Sequence, residues 1–344
     1  MSAFVRETQI VRRDVKGEQM KDIELNVMTE GRKMYYSSGR GRVRRNLTAP
    51  KQAQLNDKHA WIYFGRLLDM NFGKGDYRVT MTYKNKFRPA TFEDAKKDFD
   101  RFVVRLKKLY RECGVPLRWV MVMSFASGKN GEPVRIHFHP TLSGGVDRNA
   151  IEKCWRAPDK PGRCRTDASE AEKEARLGER LGYINCDSLQ TEGGGLAAHC
   201  EYMKKQPREG IARRWYASVG LKKPYVRSRN DDKYDFADLK AICENNADVV
   251  DVKWWERHYP GWTVCEPHEY AYTRTDSEFS GVSIRMKLRK LTEREIEERK
   301  RARRANPSVA CGDSSLYTRE PKRKRKTVGE HSICSRKRKE SAIE

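Results

Sequence analysis

The run Arg118-Trp119-Val120-Met121-Val122-Met123-Ser124-Phe125 leads into Gly128-Lys129-Asn130-Gly131 and then into a second strand-length segment, Val134 to Leu142. Two strand patterns joined by a short Gly- and Asn-containing turn read as a β-hairpin, which commits the middle of the chain to antiparallel pairing. Helical and strand patterns alternate around it. Trp61, Phe64, Leu67 and Leu68 recur at helical spacing between Ala49 and Asn71, and Gly73 and Gly75 stop that helix. Tyr77 to Tyr83 is an alternating strand pattern, and 92–112 is an amphipathic helix with Phe99, Phe102, Val103, Leu106 and Leu109 on one side. A short helix over 147–155, a Pro- and charge-rich insertion over 156–180, a strand over 182–189 and a glycine run at 193–195 follow. A helix then runs through Tyr202 to Lys205. This order predicts an α+β fold, a central antiparallel sheet with flanking helices, plus a basic disordered tail.

Charge narrows the function. The 344 residues carry 72 Lys and Arg against 48 Asp and Glu, a formal net charge of +24. An excess of this size repels itself, and its commonest physical use is binding phosphates. It is uneven: residues 281–344 hold 20 basic and 9 acidic residues and include Lys322-Arg323-Lys324-Arg325-Lys326 and Arg336-Lys337-Arg338-Lys339. With few large apolar residues after Leu291, residues 300–344 read as a disordered basic tail, and 285–305 as a charged helix. The first 46 residues are also polar and carry Arg40, Arg42, Arg44 and Arg45, which predicts a flexible basic arm. Residues 47–226 then form the main domain, and 227–299 an aromatic-rich region of unassigned role containing Trp254, Trp255, Tyr259 and Trp262. No segment has the apolar length of a membrane span, and residues 1–20 lack the apolar core of a secretory signal. The nine cysteines are scattered without a CxxC pair, as in a reducing compartment, so a cytoplasmic location is expected. A zinc set of Cys154, Cys164, Cys186 and His199 is a further option.

Two small constellations carry chemistry. His137-Phe138-His139 lies on the return strand, where alternate side chains share a face, so the two imidazoles stand side by side. Such a pair is half of a divalent-metal site; taken alone it also fits two histidines on a solvated sheet face. Tyr202-Met203-Lys204-Lys205 puts Tyr202 and Lys205 three apart on one helical face. A tyrosine hydroxyl can attack a phosphodiester when a cation polarises the phosphate and a positive group stabilises the phenolate. A surface tyrosine beside solvated lysines is the plainer reading of the same residues.

Together these segments resemble the HUH endonucleases, the rolling-circle replication initiators of bacterial plasmids and single-stranded DNA phages. The strand Tyr77-Arg78-Val79-Thr80-Met81-Thr82-Tyr83 is similar to their first motif. His137-Phe138-His139 with Ser143-Gly144-Gly145 is similar to the second, and Tyr202-x-x-Lys205 to the third. Arg213-Arg214-Trp215 with Leu221-Lys222-Lys223-Pro224 is similar to the segment after their tyrosine helix. The resemblance spans residues 45–226; insertion 156–180 is longer and more charged than the family pattern. Alanine and glutamine at 198 and 206 leave Tyr202 as a single nucleophile.

The resemblance implies that His137 and His139 bind Mg²⁺ or Mn²⁺, with the third ligand open among Glu132, Glu201 and Thr82. It implies that Tyr202 nicks single-stranded origin DNA, forming a 5′-phosphotyrosine and a free 3′-OH, assisted by Lys205. Arg213, Arg214, Lys222 and Lys223 would then contact DNA phosphates, and Trp215 would stack on a base or serve the core. No GxxxxGK[ST] phosphate loop occurs, so a host helicase would unwind the duplex and a host polymerase extend the primer, in a bacterial cytoplasm. A related HUH relaxase or transposase, and a non-catalytic basic nucleic-acid-binding protein, are the alternatives.

Overall fold

A computed structural model describes residues 3–13, 19–29, 50–125, 136–159, 169, 171–172, 176–191, 195–277 and 281–305. Along the chain these form β1 (Ala3–Arg13), β2 (Gln19–Thr29), α1 (Pro50–Asn71), β3 (Tyr77–Met81), α2 (Phe92–Glu112), β4 (Trp119–Ser124), β5 (His137–Leu142), α3 (Arg148–Lys153), β6 (Ile184–Ser188) and α4 (Ala197–Lys204). There follow β7 (Tyr216–Ala217), β8 (Tyr225–Asn230), α5 (Phe236–Asn245), α6 (Val252–His258), β9 (Trp262–Val264), α7 (His268–Ala271), β10 (Tyr272–Ser277), β11 (Gly281–Lys290) and α8 (Glu293–Ala305). Residues 1–291 make one compact unit; 292–344 make another, of which α8 is described. The fold is α+β with antiparallel pairing throughout both sheets.

One sheet runs β6-β3-β5-β4-β7. Its strands alternate between two apolar layers. Val79, Met81, Trp119, Met121, Met123, Phe138 and Cys186 pack against α2 and α3, while Val120 and Val122 pack against α1 and α4. Helix α2 shows why the local code works. Thr91 caps it by accepting from the Asp94 N–H, Glu93 and Asp94 favour its positive end, and Ala95, Phe99, Phe102, Leu106 and Tyr110 recur along the buried stripe.

The second sheet runs β10-β11-β2-β1-β8, with β9 paired to β11. Its apolar face, Val5, Ile23, Leu25, Ile284, Met286 and Leu288, is covered by α5 and α6 through Leu239, Ile242, Trp254 and Trp255. The opposite face is polar and meets α1. Arg66 of α1 pairs with Asp22 and Glu24, and Asp69 of α1 with Lys287. Helix α1 therefore lies between the two sheets, apolar toward one and charged toward the other.

Three expectations are corrected. Residues 3–13 and 19–29 are not a flexible arm: β1 and β2 pair in register from Ala3↔Thr29 to Arg13↔Gln19 and form the middle of the second sheet. Their composition is polar because every second residue faces charged partners, while Val5, Ile23 and Leu25 find apolar partners more than two hundred residues away. The four arginines at 40–45 lie outside the described residues. Residues 227–299 are not a separate region, because β8 and β11 flank the β1–β2 hairpin. Finally, 285–290 belong to strand β11, and helix α8 begins at Glu293. The remainder of the expected tail, from 306 on, lies outside the described residues. No described helix is long and apolar enough to cross a membrane.

Candidate nucleolytic site

Strand β5 builds the first half of the site. Phe138 and Leu142 point into the α2 core, so His137, His139 and Thr141 share the face toward α1 and α4. The His137 and His139 rings lie 6.3 Å apart with planes within 22° of each other. His139 is 4% exposed, whereas His137 is half-buried. The Ser143-Gly144-Gly145 turn after β5 has a structural cause: a Cβ on Gly144 would come within 1.9 Å of the Gly75 carbonyl oxygen, and Gly145 has φ +89°. The Asp76 carboxylate ties the turn by accepting from Gly144 N–H at 2.7 Å and Gly73 N–H at 2.8 Å.

Helix α4 supplies the second half. Gly195 precedes it with φ +67°, where a Cβ would also collide with Met20 and Asp69. The Leu196 N–H donates to Asp69 Oδ1 at 2.8 Å, which anchors the start of the helix on α1. Cys200 and Met203 bury one side of α4, and Tyr202 emerges 44% exposed on another. Its hydroxyl lies 3.3 Å from His139 Nδ1, with the two rings edge to face at 85°.

His199, one turn before Tyr202, contributes a further ring. Its Nε2 is 2.8 Å from Thr141 Oγ1, and its plane lies within 17° of the Tyr202 ring at 6.4 Å. Helix and strand are thus joined next to the candidate nucleophile. Burial, then the neighbouring His137 and His199, push His139 down to about 4; burial, then Arg78, do the same to His199. Both imidazoles are therefore neutral near neutral pH, each with one N–H and one lone pair. The sequence signal for His199 was its i,i+3 spacing from Tyr202, a helical neighbour relation that carries no chemistry without the strand opposite.

The metal question turns on the donors present. His139 Nε2 is buried and has no hydrogen-bond partner among the described residues, as a nitrogen reserved for a cation would be. Among the described residues no group of three or more His, Cys, Asp or Glu gathers as a complete ligand set. Of the third-ligand candidates, Glu132 lies outside the described residues, Glu201 is paired with Lys204, and Thr82 is half-buried just beyond β3. The zinc set is corrected: Cys154 and Cys186 sit in the α2 core on the opposite face of the sheet from His199, and Cys164 is outside the described residues.

The remaining expected residues are dispersed. Lys205 caps the C-terminus of α4, exposed, with no side-chain partner among the described residues. Trp215 is half-buried and packs 4.9 Å from Phe64 and 5.8 Å from Trp61, a contact that fits the core option of the two the sequence left open. Arg214 is paired with Asp57 of α1. Arg213 lies over the Tyr216 ring, on the side of edge strand β7 where Lys96 of α2 approaches the same ring, away from the imidazoles. Lys222 and Lys223 are exposed, and the Lys222 backbone is held at both N–H and carbonyl by the Asn71 amide. Two cations stand toward this end of the sheet: Arg78 of β3, which pairs across the strands with Thr141 and acts on His199, and Arg208. Arg208 bridges to Phe125, next to the Ser124 that pairs with His137, and its guanidinium lies 4.9 Å from the Trp61 ring centroid. No sequence motif marked Arg208.

Comparison of the chain with protein-family profiles, with curated proteins and with solved structures finds no match.

Proposed function

We propose that the protein nicks single-stranded DNA at a replication origin through Tyr202 and so initiates rolling-circle replication. One observation carries the reading: a half-exposed tyrosine hydroxyl 3.3 Å from a buried imidazole that is one of a same-face pair. The net charge of +24 supplies the polyanion affinity such a substrate needs.

His137 and His139 would hold Mg²⁺ or Mn²⁺, which when bound supplies Lewis-acid polarisation of the scissile phosphate. That role assigns the His139 proton. If Nε2 keeps its lone pair for the cation, Nδ1 carries the hydrogen and donates it to Tyr202 Oη. A donor at that oxygen stabilises the phenolate more than the phenol. Tyr202 Oη then attacks phosphorus, its own proton passing to solvent on the exposed side. The bond from phosphorus to the 3′ oxygen breaks, that oxygen takes a proton from water, and the phosphate stays on the 5′ carbon as a phosphotyrosine. The retained phosphoester lets the same site rejoin strands. His199, bonded to Thr141, holds α4 against β5, and Arg208 would meet the DNA backbone.

A host helicase and polymerase would complete replication in a bacterial cytoplasm. A relaxase or transposase would use the same site; Tyr202 following the histidines in the chain favours an initiator over a relaxase. The test is incubation with end-labelled single-stranded origin DNA and Mn²⁺, followed by mass spectrometry of the covalent adduct. An adduct on Tyr202 supports the reading. Tight binding without cleavage of any origin strand would instead identify a non-catalytic DNA-binding protein.

A further inference from the structure

The face of the second sheet that meets α6 carries a group of cations and rings unconnected with Tyr202, whose helix lies on the other side of that sheet. Tyr225 pairs with Val11, Val11 with Lys21, and Lys21 with Leu288, so these four residues form one cross-strand row on one face. Trp262 pairs with Lys290 beside the end of that row. The Lys21 ammonium lies 4.2 Å from the Trp262 ring centroid, and Lys233 lies 4.1 Å from that of Tyr259. Burial pushes Lys21 below the usual lysine range, Arg227 pushes it the same way, Glu7 pushes it back and Lys233 lowers it again, so Lys21 lies in the field of two cations and one carboxylate. Glu7 is the only carboxylate ion-paired with any of them among the described residues, and it is buried on Lys233 and Tyr259. Arg227 and Lys290 are exposed with no ion-pair partner among the described residues, and Tyr225 is 57% exposed at the sheet edge.

Among the described residues four cations stand against one buried carboxylate, a local positive excess. A structural network would neutralise it with carboxylates; none pairs with Lys21, Arg227 or Lys290 among the described residues. Cations spaced between aromatic faces suit a strand whose phosphates and bases alternate, and an exposed tyrosine at an edge offers a stacking platform. We infer that Lys21, Arg227, Lys233 and Lys290, with Tyr225 and Trp262, form a second single-stranded nucleic-acid surface, apart from the Tyr202 site. It needs no nicking chemistry and gives residues 225–290 a role in holding the strand.

The test is fluorescence anisotropy of a labelled oligothymidylate across a salt series, on the full chain. Arg227→Gln with Lys290→Gln, both exposed, and then with Lys21→Gln added, should weaken binding. Each phosphate left unneutralised takes about 0.7 off the slope of log K against log salt, so the slope of the triple variant should fall by about 2. Arg227→Lys with Lys290→Arg should keep the wild-type slope. Tyr225→Ala should weaken binding by roughly 5- to 100-fold with little change in slope, as loss of stacking does. An unchanged slope and affinity in the triple variant, with a wild-type thermal transition, would overturn the inference. So would polyglutamate of matched charge displacing the oligonucleotide equally well, since that marks an acidic-polypeptide surface. Adduct formation at Tyr202 is scored separately. A wild type that forms no adduct while the triple variant loses slope removes the nicking reading and leaves this surface standing; an adduct with unchanged slope does the reverse.

Discussion

Lys287 donates to Asp69 Oδ2 at 2.9 Å while Asp69 Oδ1 accepts the Leu196 N–H at 2.8 Å. A residue of β11 thereby orients, through one carboxylate on α1, the first turn of the helix that carries Tyr202. Both partners of the ion pair are buried. Lys287→Met should therefore leave an uncompensated carboxylate and cost about 3–5 kcal/mol. Asp69→Asn with Lys287→Met should recover much of that loss, because asparagine can still accept from Leu196. Urea denaturation of the two variants checks this; equal losses in both would show that the charge pair is not the cause.

Tyr202→Phe should abolish the covalent DNA adduct. The hydroxyl it removes is half exposed and makes one long hydrogen bond, so stability should change by no more than about 0.5 kcal/mol. Affinity for an uncleaved oligonucleotide should stay at the wild-type value. An adduct of normal yield in this variant, read by gel shift after denaturation, would remove Tyr202 as the nucleophile.

Stability should fall on acidification through a definite window. His139 and His199 are lowered to about 4 in the fold from an ordinary value of 6.5. Below 6.5 the unfolded chain binds more protons than the folded one, so stability drops as pH falls, and the drop levels off below about 4, where both states are protonated. His199→Gln, which keeps a hydrogen-bonding group opposite Thr141, should flatten part of this fall. Thermal midpoints recorded across the window test it; parallel curves for wild type and variant would deny His199 a share.

Trp215→Ala should act on the fold. The ring fills space against Trp61 and Phe64, and truncating a half-buried tryptophan of this kind costs about 2–4 kcal/mol. Chemical denaturation should show that loss, while oligonucleotide affinity of the folded variant stays within twofold. A normal melting transition with strongly weakened binding would return Trp215 to the DNA.

Removing residues 306–344 deletes both long basic runs and leaves α8 whole. Non-specific DNA affinity and its salt dependence should both decline, since the slope scales with the number of phosphates neutralised. Adduct formation at low salt should persist. Filter binding across a salt series, paired with the adduct assay, separates the two effects.

The local elements were legible because their codes are local. The capped and periodic pattern over 92–112, the antiparallel pairing of the two strands on either side of Gly128, and the alternation that puts His137 and His139 on one face all depend on neighbours a few residues apart. Tyr202 does meet His139, one of the same-face pair, a juxtaposition that spacing alone left open and the resemblance implied. Environment was not legible. Whether Trp215 packs on Phe64, whether 3–13 and 19–29 are an arm or the middle of a sheet, and whether His199 is incidental or bonded to Thr141 are decided by partners distant in the chain. Sequence alone determined that segments such as 77–83, 92–112 and 118–125 become strand or helix and which of their side chains share a face, because backbone geometry imposes those periods, but it did not show the strands over 3–13, 19–29 and 285–290. Tertiary structure alone decided what each face meets, because burial and hydrogen bonding are properties of the pair and not of either residue.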